Sequence, residues 1–288
     1  MSTSASQTHV KSINTEARLN NSTLDLSFEK SAIIFFTLVR REIKRFLKVI
    51  IQTVISPIVS SFLYLLVFGV SLGGSVQLKN GIPYLSFLIP GLMVMGLINN
   101  AFQNSSSSIV TSKFSGDLED LRVAPIPHSF IIWAMGLGGV FRGSVVAIIT
   151  GIVGSLFHYS QLGTPLPIEH PFWMIYFFLV GGLTFAFIGI FIAFLAKTFD
   201  QLSAFSAFIL LPLTYLGGVF ISIQNLKPIW QTLSHYNPLF YLINGFRYAL
   251  LGTSDVDLVV SVWVSFVGVV ITFVMAQISL KKGSFSRW

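Results

Sequence analysis

Three carboxylates, Asp117, Glu119 and Asp120, crowd into the run KFSGDLEDLRVAPIP from Lys113 to Pro127. Paired acids can do general acid and base work. These, however, open a short predicted helix that Pro125 and Pro127 end, where negative charge suits the positive pole of the helix dipole. Leu118 and Leu121, three apart, share one face of it. The pattern reads either as a solvated turn or as an acidic handle offered to a partner. Other reactive chemistry is sparse. With no Cys there is no thiol nucleophile, disulfide or cysteine metal site. His9, His128, His158, His170 and His235 are scattered and form no HxxxH or HExxH pair, so no metal centre is expected. The run LGGSVQLKNG has glycines and a lysine but not the GxxxxGK[ST] spacing that cradles a nucleotide phosphate. No Ser, His and Asp set suggests a catalytic triad.

The elements that hold these residues are membrane spans. The chain has 288 residues, 53% hydrophobic and 10% charged, with a mean hydropathy of +0.77. Soluble domains carry about 25% charged residues, so a soluble enzyme is excluded. Apolar stretches at about 50–72, 84–104, 129–157, 172–196, 202–222 and 256–279 each approach the ~20 residues of a transmembrane helix. An even number places both termini on one side. Of the 18 Lys and Arg, only Lys79, Lys227 and Arg247 would then face outward and Arg142 would lie within a span. The others gather inside, as cytoplasmic loops prefer. The net charge of +7 therefore reflects topology, and nucleic acid is not an expected partner.

The expected organisation is a polar cytoplasmic tail over 1–30, an amphipathic helix over 31–49, a six-span domain over 50–280 and a cytoplasmic C-terminus over 281–288. In the amphipathic helix Arg40, Arg41, Lys44, Arg45 and Lys48 share one face, and Val39, Ile43, Phe46, Leu47 and Ile50 the other. Such a helix lies on the inner membrane surface against lipid, with Glu42 on its rim as a polar contact for a cytoplasmic partner. Near the other end, Asn237 followed by Pro238 is a good helix start and Gly252 a plausible stop. The 14 residues PLFYLINGFRYALL between them are too short to cross a ~30 Å core, which predicts a re-entrant hairpin over about 224–252. Arg142, roughly 20 Å into the third span at 1.5 Å per residue, is costly in lipid and must face protein or a wet cavity. It either binds an anionic head group or stabilises one conformational state, or it pairs with carbonyls or a cytoplasmic acid such as Asp200.

Two runs resemble a known family. KFSGDLEDLRVAPIP is similar to the coupling segment of the type-2 ABC exporter permeases. AKTFDQLSAFSAFILLPLTYLGGVF and WQTLSHYNPLFYLINGFRYALLG, between Ala196 and Gly252, look like that family's fifth span and outer hairpin. The nearest subgroup is the bacterial YadH-like permeases, with the NodJ-like permeases more distant. The resemblance implies an all-α polytopic fold with six transmembrane helices in a bacterial inner membrane. Gly116, Asp117, Leu118, Glu119, Asp120, Leu121 and Arg122 would form the coupling helix seated in a cytoplasmic ABC ATPase, with Arg40, Arg41, Glu42 and Arg45 on a connecting helix beside it. Asn237, Pro238, Gly245, Arg247 and Tyr248 would belong to the outer hairpin. Two copies of the chain would work with two ATPase subunits, which would bind the ATP and Mg. A path between the copies would be lined from the second and fifth spans by Asn99, Asn100, Phe102, Gln103, Phe205, Phe208 and Thr214, with Arg142 beside it. The 28 Phe against 5 Trp and 8 Tyr favour a hydrophobic or amphipathic cargo such as a lipid, lipid-linked glycan or drug. Two alternatives stay open: a polysaccharide exporter permease, and a scaffold or regulator that recruits a cytoplasmic partner without transporting.

Overall fold

In the computed structural model, which describes residues 28–71, 73, 78, 81–124, 126–196 and 198–282, every regular element is helical. The expected tail up to residue 27, Lys79, Lys197 and the residues after Lys282 lie outside the described residues, as do the side chains of Glu119 and Arg122. The helices are α1 (Phe28–Leu47), α2 (Ile50–Tyr64), α3 (Tyr84–Ser115), α4 (Asp117–Val123), α5 (His128–Leu162), α6 (Pro171–Leu195), α7 (Phe199–Phe205), α8 (Leu211–Leu216), α9 (Pro228–His235), α10 (Pro238–Leu251) and α11 (Leu258–Lys282). A π-helical turn over Leu65–Ser71 prolongs α2, and another over Ser206–Leu210 joins α7 to α8. Six of the resulting rods are long and apolar enough to cross a membrane: Thr53–Ser71, Tyr84–Ser115, His128–Leu162, Pro171–Leu195, Phe199–Leu216 and Leu258–Lys282.

The bundle is built around α3, which packs on α5 and α6. In its most apolar stretch 78% of residues are buried, against 22% for the α2 span, 17% for the α7–α8 span and 17% for α11. Sequence hydropathy ends this second span near residue 104, yet the helix continues through the serine-rich run to Ser115. It can do so because the serines find partners inside the bundle: Ser105 Oγ donates to the Met135 carbonyl at 3.1 Å and Ser108 Oγ to Glu42 Oε2 at 2.9 Å. A buried hydroxyl with a partner carries little penalty. The third span likewise outruns its expected limits, starting at His128 and ending at Leu162.

Breaks in the helices follow the side chains. The π turn ahead of Pro212 absorbs the hydrogen bond that proline cannot donate. Gly116 ends α3 with φ +85°, a left-handed conformation that glycine adopts without strain, and so turns the chain sharply into α4. At the same end of the molecule, Lys113 of α3 reaches the last turn of α6. Its Nζ donates to the carbonyls of Ala193 and Phe194 at 2.9 and 3.3 Å and lies 5.1 Å from the centre of the Phe194 ring. Helix ends leave their final carbonyls without partners, and this lysine supplies them. Lys113→Met fills similar space without the donors, so it should cost about 1–2 kcal/mol. Thermal unfolding of the purified chain in neutral detergent would register the loss as a lower Tm.

Candidate functional site

Two hollows open beside α3 and meet at one side chain. The larger, about 510 Å³, lies between α2, α3 and α5 and is lined by Thr53, Ser56, Ser60, Ser61, Tyr64, Asn99, Asn100, Gln103, Arg142 and Thr150, with Pro57, Leu92, Met95 and Val146 as its apolar wall. The smaller, about 260 Å³, lies towards α7 and is lined by Phe102, Gln103, Ser106, Ser107, Arg142, Leu202, Ser203 and Ser206. Gln103 and Arg142 face both. Helical spacing makes this arrangement: Thr53, Ser56, Ser60 and Tyr64 recur every three to four residues along α2, so one stripe of an otherwise apolar helix is polar. Ser61 Oγ and Thr150 Oγ1 meet at 2.9 Å and join α2 to α5 beside the larger hollow.

Arg142 sits 14 residues into α5, roughly 21 Å from its start at 1.5 Å per residue. Its Nε is buried and has no hydrogen-bond partner. Among the described residues no ion pair joins it to Asp200 or to any other acid. Of the wall residues expected from the sequence, Asn99, Asn100, Phe102 and Gln103 are brought together here, and Phe205 stacks on Phe102 with ring centres 5.3 Å apart. Phe208 and Thr214 are not. Phe208 is 79% exposed and lines neither hollow. Thr214 is fully buried and returns its hydroxyl to the Leu211 carbonyl at 2.6 Å, as threonine does in a helix when no other acceptor is near.

At the end of the molecule that carries α4, the short helix is pinned by Leu118, which is buried with Leu38, Ile109 and Ile131, while Leu121 packs partly against the same cluster. Leu118 is therefore an internal anchor. Asp117 and Asp120 remain exposed. Beside them α1 lies on α5, with Leu38, Glu42 and Phe46 in a single stripe turned inward. This corrects the rim position expected for Glu42. Its carboxylate is 1% exposed and is held by Arg45 at 3.1 Å, Arg41 at 3.4 Å and the Ser108 hydroxyl at 2.9 Å. Arg45 also donates to the Asn104 carbonyl at 2.7 Å and to Ser107 Oγ at 3.2 Å. Arg40, Lys44 and Lys48 stay exposed. The network binds α1 to α3 where the sequence suggested only a surface contact.

The sequence profile of the ABC-2 type transporter family matches residues 34–251. The chain belongs to the ABC-2 type transporter family. It is similar to the inner membrane transport permease YadH of Escherichia coli K12, with 38% identity over 236 residues, 82% of this chain and 88% of the relative. Nodulation protein J of Neorhizobium galegae is 23% identical over 222 residues, 75% of this chain and 81% of the relative. Nodulation protein J of Rhizobium leguminosarum bv. viciae is 20% identical over 247 residues, 84% and 92% of the two chains.

In this ABC-2 permease the end opposite α4 is closed by α9 and α10. The Asn237 side chain accepts from Leu239 N at 3.0 Å and donates to the Leu213 carbonyl at 2.7 Å, so the start of α10 is capped and tied to α8 together. Gly252 ends the helix at φ +69°. Gly245 lies against the Phe177 ring with no room for a side chain. Tyr248 stacks on His170 at 4.8 Å. Arg247, 2% exposed, donates to the Gly218 carbonyl at 2.9 Å and to Asn244 Oδ1 at 3.2 Å, with its guanidinium carbon 3.7 Å from the centre of the Phe87 ring. Sequence reading counted Arg247 as a charge outside the membrane and, by resemblance, as part of the outer hairpin, without a partner for it. The structure makes it the bolt between α10, the end of α8 and α3. The polar stripe of α2 and the Lys113 cap were also missed, although the stripe's spacing is visible in the sequence.

Proposed function

We propose that this ABC-2 permease is the membrane subunit of an ATP-driven exporter in which two copies work with two copies of a separate ATPase chain. The observation that carries this reading is the presentation of α4. Leu118 fixes a seven-residue helix to the bundle, and the outward Asp117 and Asp120 form a rigid acidic knob. A knob of this kind transmits force only if a partner grips it, and this chain lacks the spacing of a phosphate-binding loop. ATP and Mg would thus be held by the partner. The clustering of Lys and Arg supports a cytoplasmic side for α1, α4 and both termini in the bacterial inner membrane, with half-exposed Arg41 and Arg45 beside Asp117. The sparsely buried α2 and α7–α8 spans offer a face for a second copy, as a two-fold interface requires. The α9–α10 hairpin would dip into the outer leaflet over the exit. The cargo would be hydrophobic or amphipathic.

Co-expression with candidate ABC ATPase chains from the same cell, beginning with any encoded beside the gene, followed by purification and reconstitution, tests the reading. The two chains should co-purify. Asp117→Lys with Asp120→Lys should lower transport by about tenfold or more through charge reversal at the contact, while the permease keeps its Tm. Absence of a co-purifying ATPase, or full transport by the double variant, would sink the proposal.

A further inference from the structure

Among the described residues Arg142 is a cation without a counter-charge. No acidic residue lines either hollow among the described residues. The chain's 11 Asp and Glu leave α2, α3, α5 and α6 with no carboxylate at all, and Asp200 stands in the first turn of α7, at the end of its span. Arg45, held by Glu42, adds like charge nearby. An ionisable group at this depth normally has a partner or a wet, functional cavity.

We propose that the hollows meeting at Arg142 bind an amphipathic anion, a phosphate or carboxylate head attached to an apolar chain. The head sits at Arg142 and Gln103, where a guanidinium gives forked hydrogen bonds to either anion. Asn99 and Asn100 spend their amide nitrogens on the carbonyls of Met95 and Gly96, at 2.9 and 3.0 Å, so their carbonyl oxygens accept from hydroxyl groups on the same head. From Gln103 the cleft runs along α3 towards Leu92, roughly 16 Å at 1.5 Å per residue, with Leu92, Met95, Val146 and Pro57 offering an apolar chain its contacts beside the Ser61–Thr150 pair. With both apolar and hydroxyl-bearing side chains along its wall, a cleft of about 510 Å³ falls in the range of small-molecule sites. That the bound molecule is cargo rests on the permease reading above; that it binds does not.

Binding can be measured without transport. The full-length chain in neutral detergent is titrated with dihexanoyl phosphatidic acid, with uncharged dihexanoylglycerol and with inorganic phosphate, and Tm and affinity are followed. The phosphatidic acid should stabilise the wild-type chain, and the other two should do so far less. Arg142→Gln should weaken its binding by about tenfold or more, the scale of a charge-assisted hydrogen bond, and Arg142→Lys by less. Should Arg142→Gln fail to fold, Gln103→Ala gives the same reading with the cation kept. Equal binding by wild type and both variants overturns the site. Equal binding of inorganic phosphate and phosphatidic acid overturns its amphipathic character and leaves a free-anion site. Phosphatidic acid binding that survives in Asp117→Lys with Asp120→Lys separates this site from coupling, so it stands even if the ATPase reading falls.

Discussion

Glu42→Ala should destabilise the folded permease by about 3 kcal/mol, the cost of removing one partner from a buried ion pair. The carboxylate is 1% exposed and lies against α3 and α5, so its loss leaves Ser108 without an acceptor and deprives Arg45 of its only anion among the described residues. Arg45 keeps the Asn104 carbonyl and Ser107, and it is partly exposed, which holds the cost below the upper end of that range. The neighbouring Arg41 gives the contrast. Its side chain is 40% exposed, and exposed pairs contribute about 0–1 kcal/mol, so Arg41→Ala should be nearly silent. Thermal unfolding of the three purified proteins in the same detergent decides the matter. A Glu42→Ala protein as stable as Arg41→Ala would show that the carboxylate holds nothing.

The second large effect is steric. At Gly143 of α5 a Cβ would come 2.5 Å from the Leu97 carbonyl oxygen of α3, and at Gly189 of α6 it would come 2.6 Å from the Phe102 carbonyl oxygen. Backbone cannot swing aside as a side chain can, so the helices must separate. Overpacking of this kind costs about 1–3 kcal/mol at each site. Gly143→Ala with Gly189→Ala should therefore fall further than either alone and reduce the yield of folded protein. The control is Gly268 of α11, where a Cβ meets nothing within 4 Å. There, glycine to alanine should be neutral or add up to about 1 kcal/mol through helix propensity. Both sites lie where α3 is clasped by its neighbours, so the comparison reads close packing and not glycine content in general.

The six spans, the short acidic helix and the capped start of α10 were legible because each has a local physical signature: an apolar run, a carboxylate cluster before prolines, an Asn–Pro pair. What was not legible depends on which face of a helix meets another helix. Glu42 lies among arginines in sequence, and a helical projection cannot tell that its stripe with Leu38 and Phe46 is the one that α5 covers. Thr214 looks like any polar residue in a span until its own helix is seen to take its hydroxyl. The serines after Asn104 lower the hydropathy enough to end the span on paper, although their hydroxyls are satisfied inside the bundle. Arg142 was visible as an anomaly, but its solitude is a property of three helices together.

One rod joins the two ends of this permease. The 32 residues of α3 extend about 48 Å at 1.5 Å per residue. One end turns through Gly116 into the acidic knob. At the other, the Tyr84 hydroxyl donates to the Phe220 carbonyl at 2.7 Å and Phe87 carries Arg247 on its ring. Thermodynamic linkage between two sites runs in both directions. If gripping the knob shifts the rod, then a molecule that clamps α10 from the far side of the membrane must alter the grip by the same free energy. In the orientation proposed above, an inhibitor of such an exporter would never have to enter the cell.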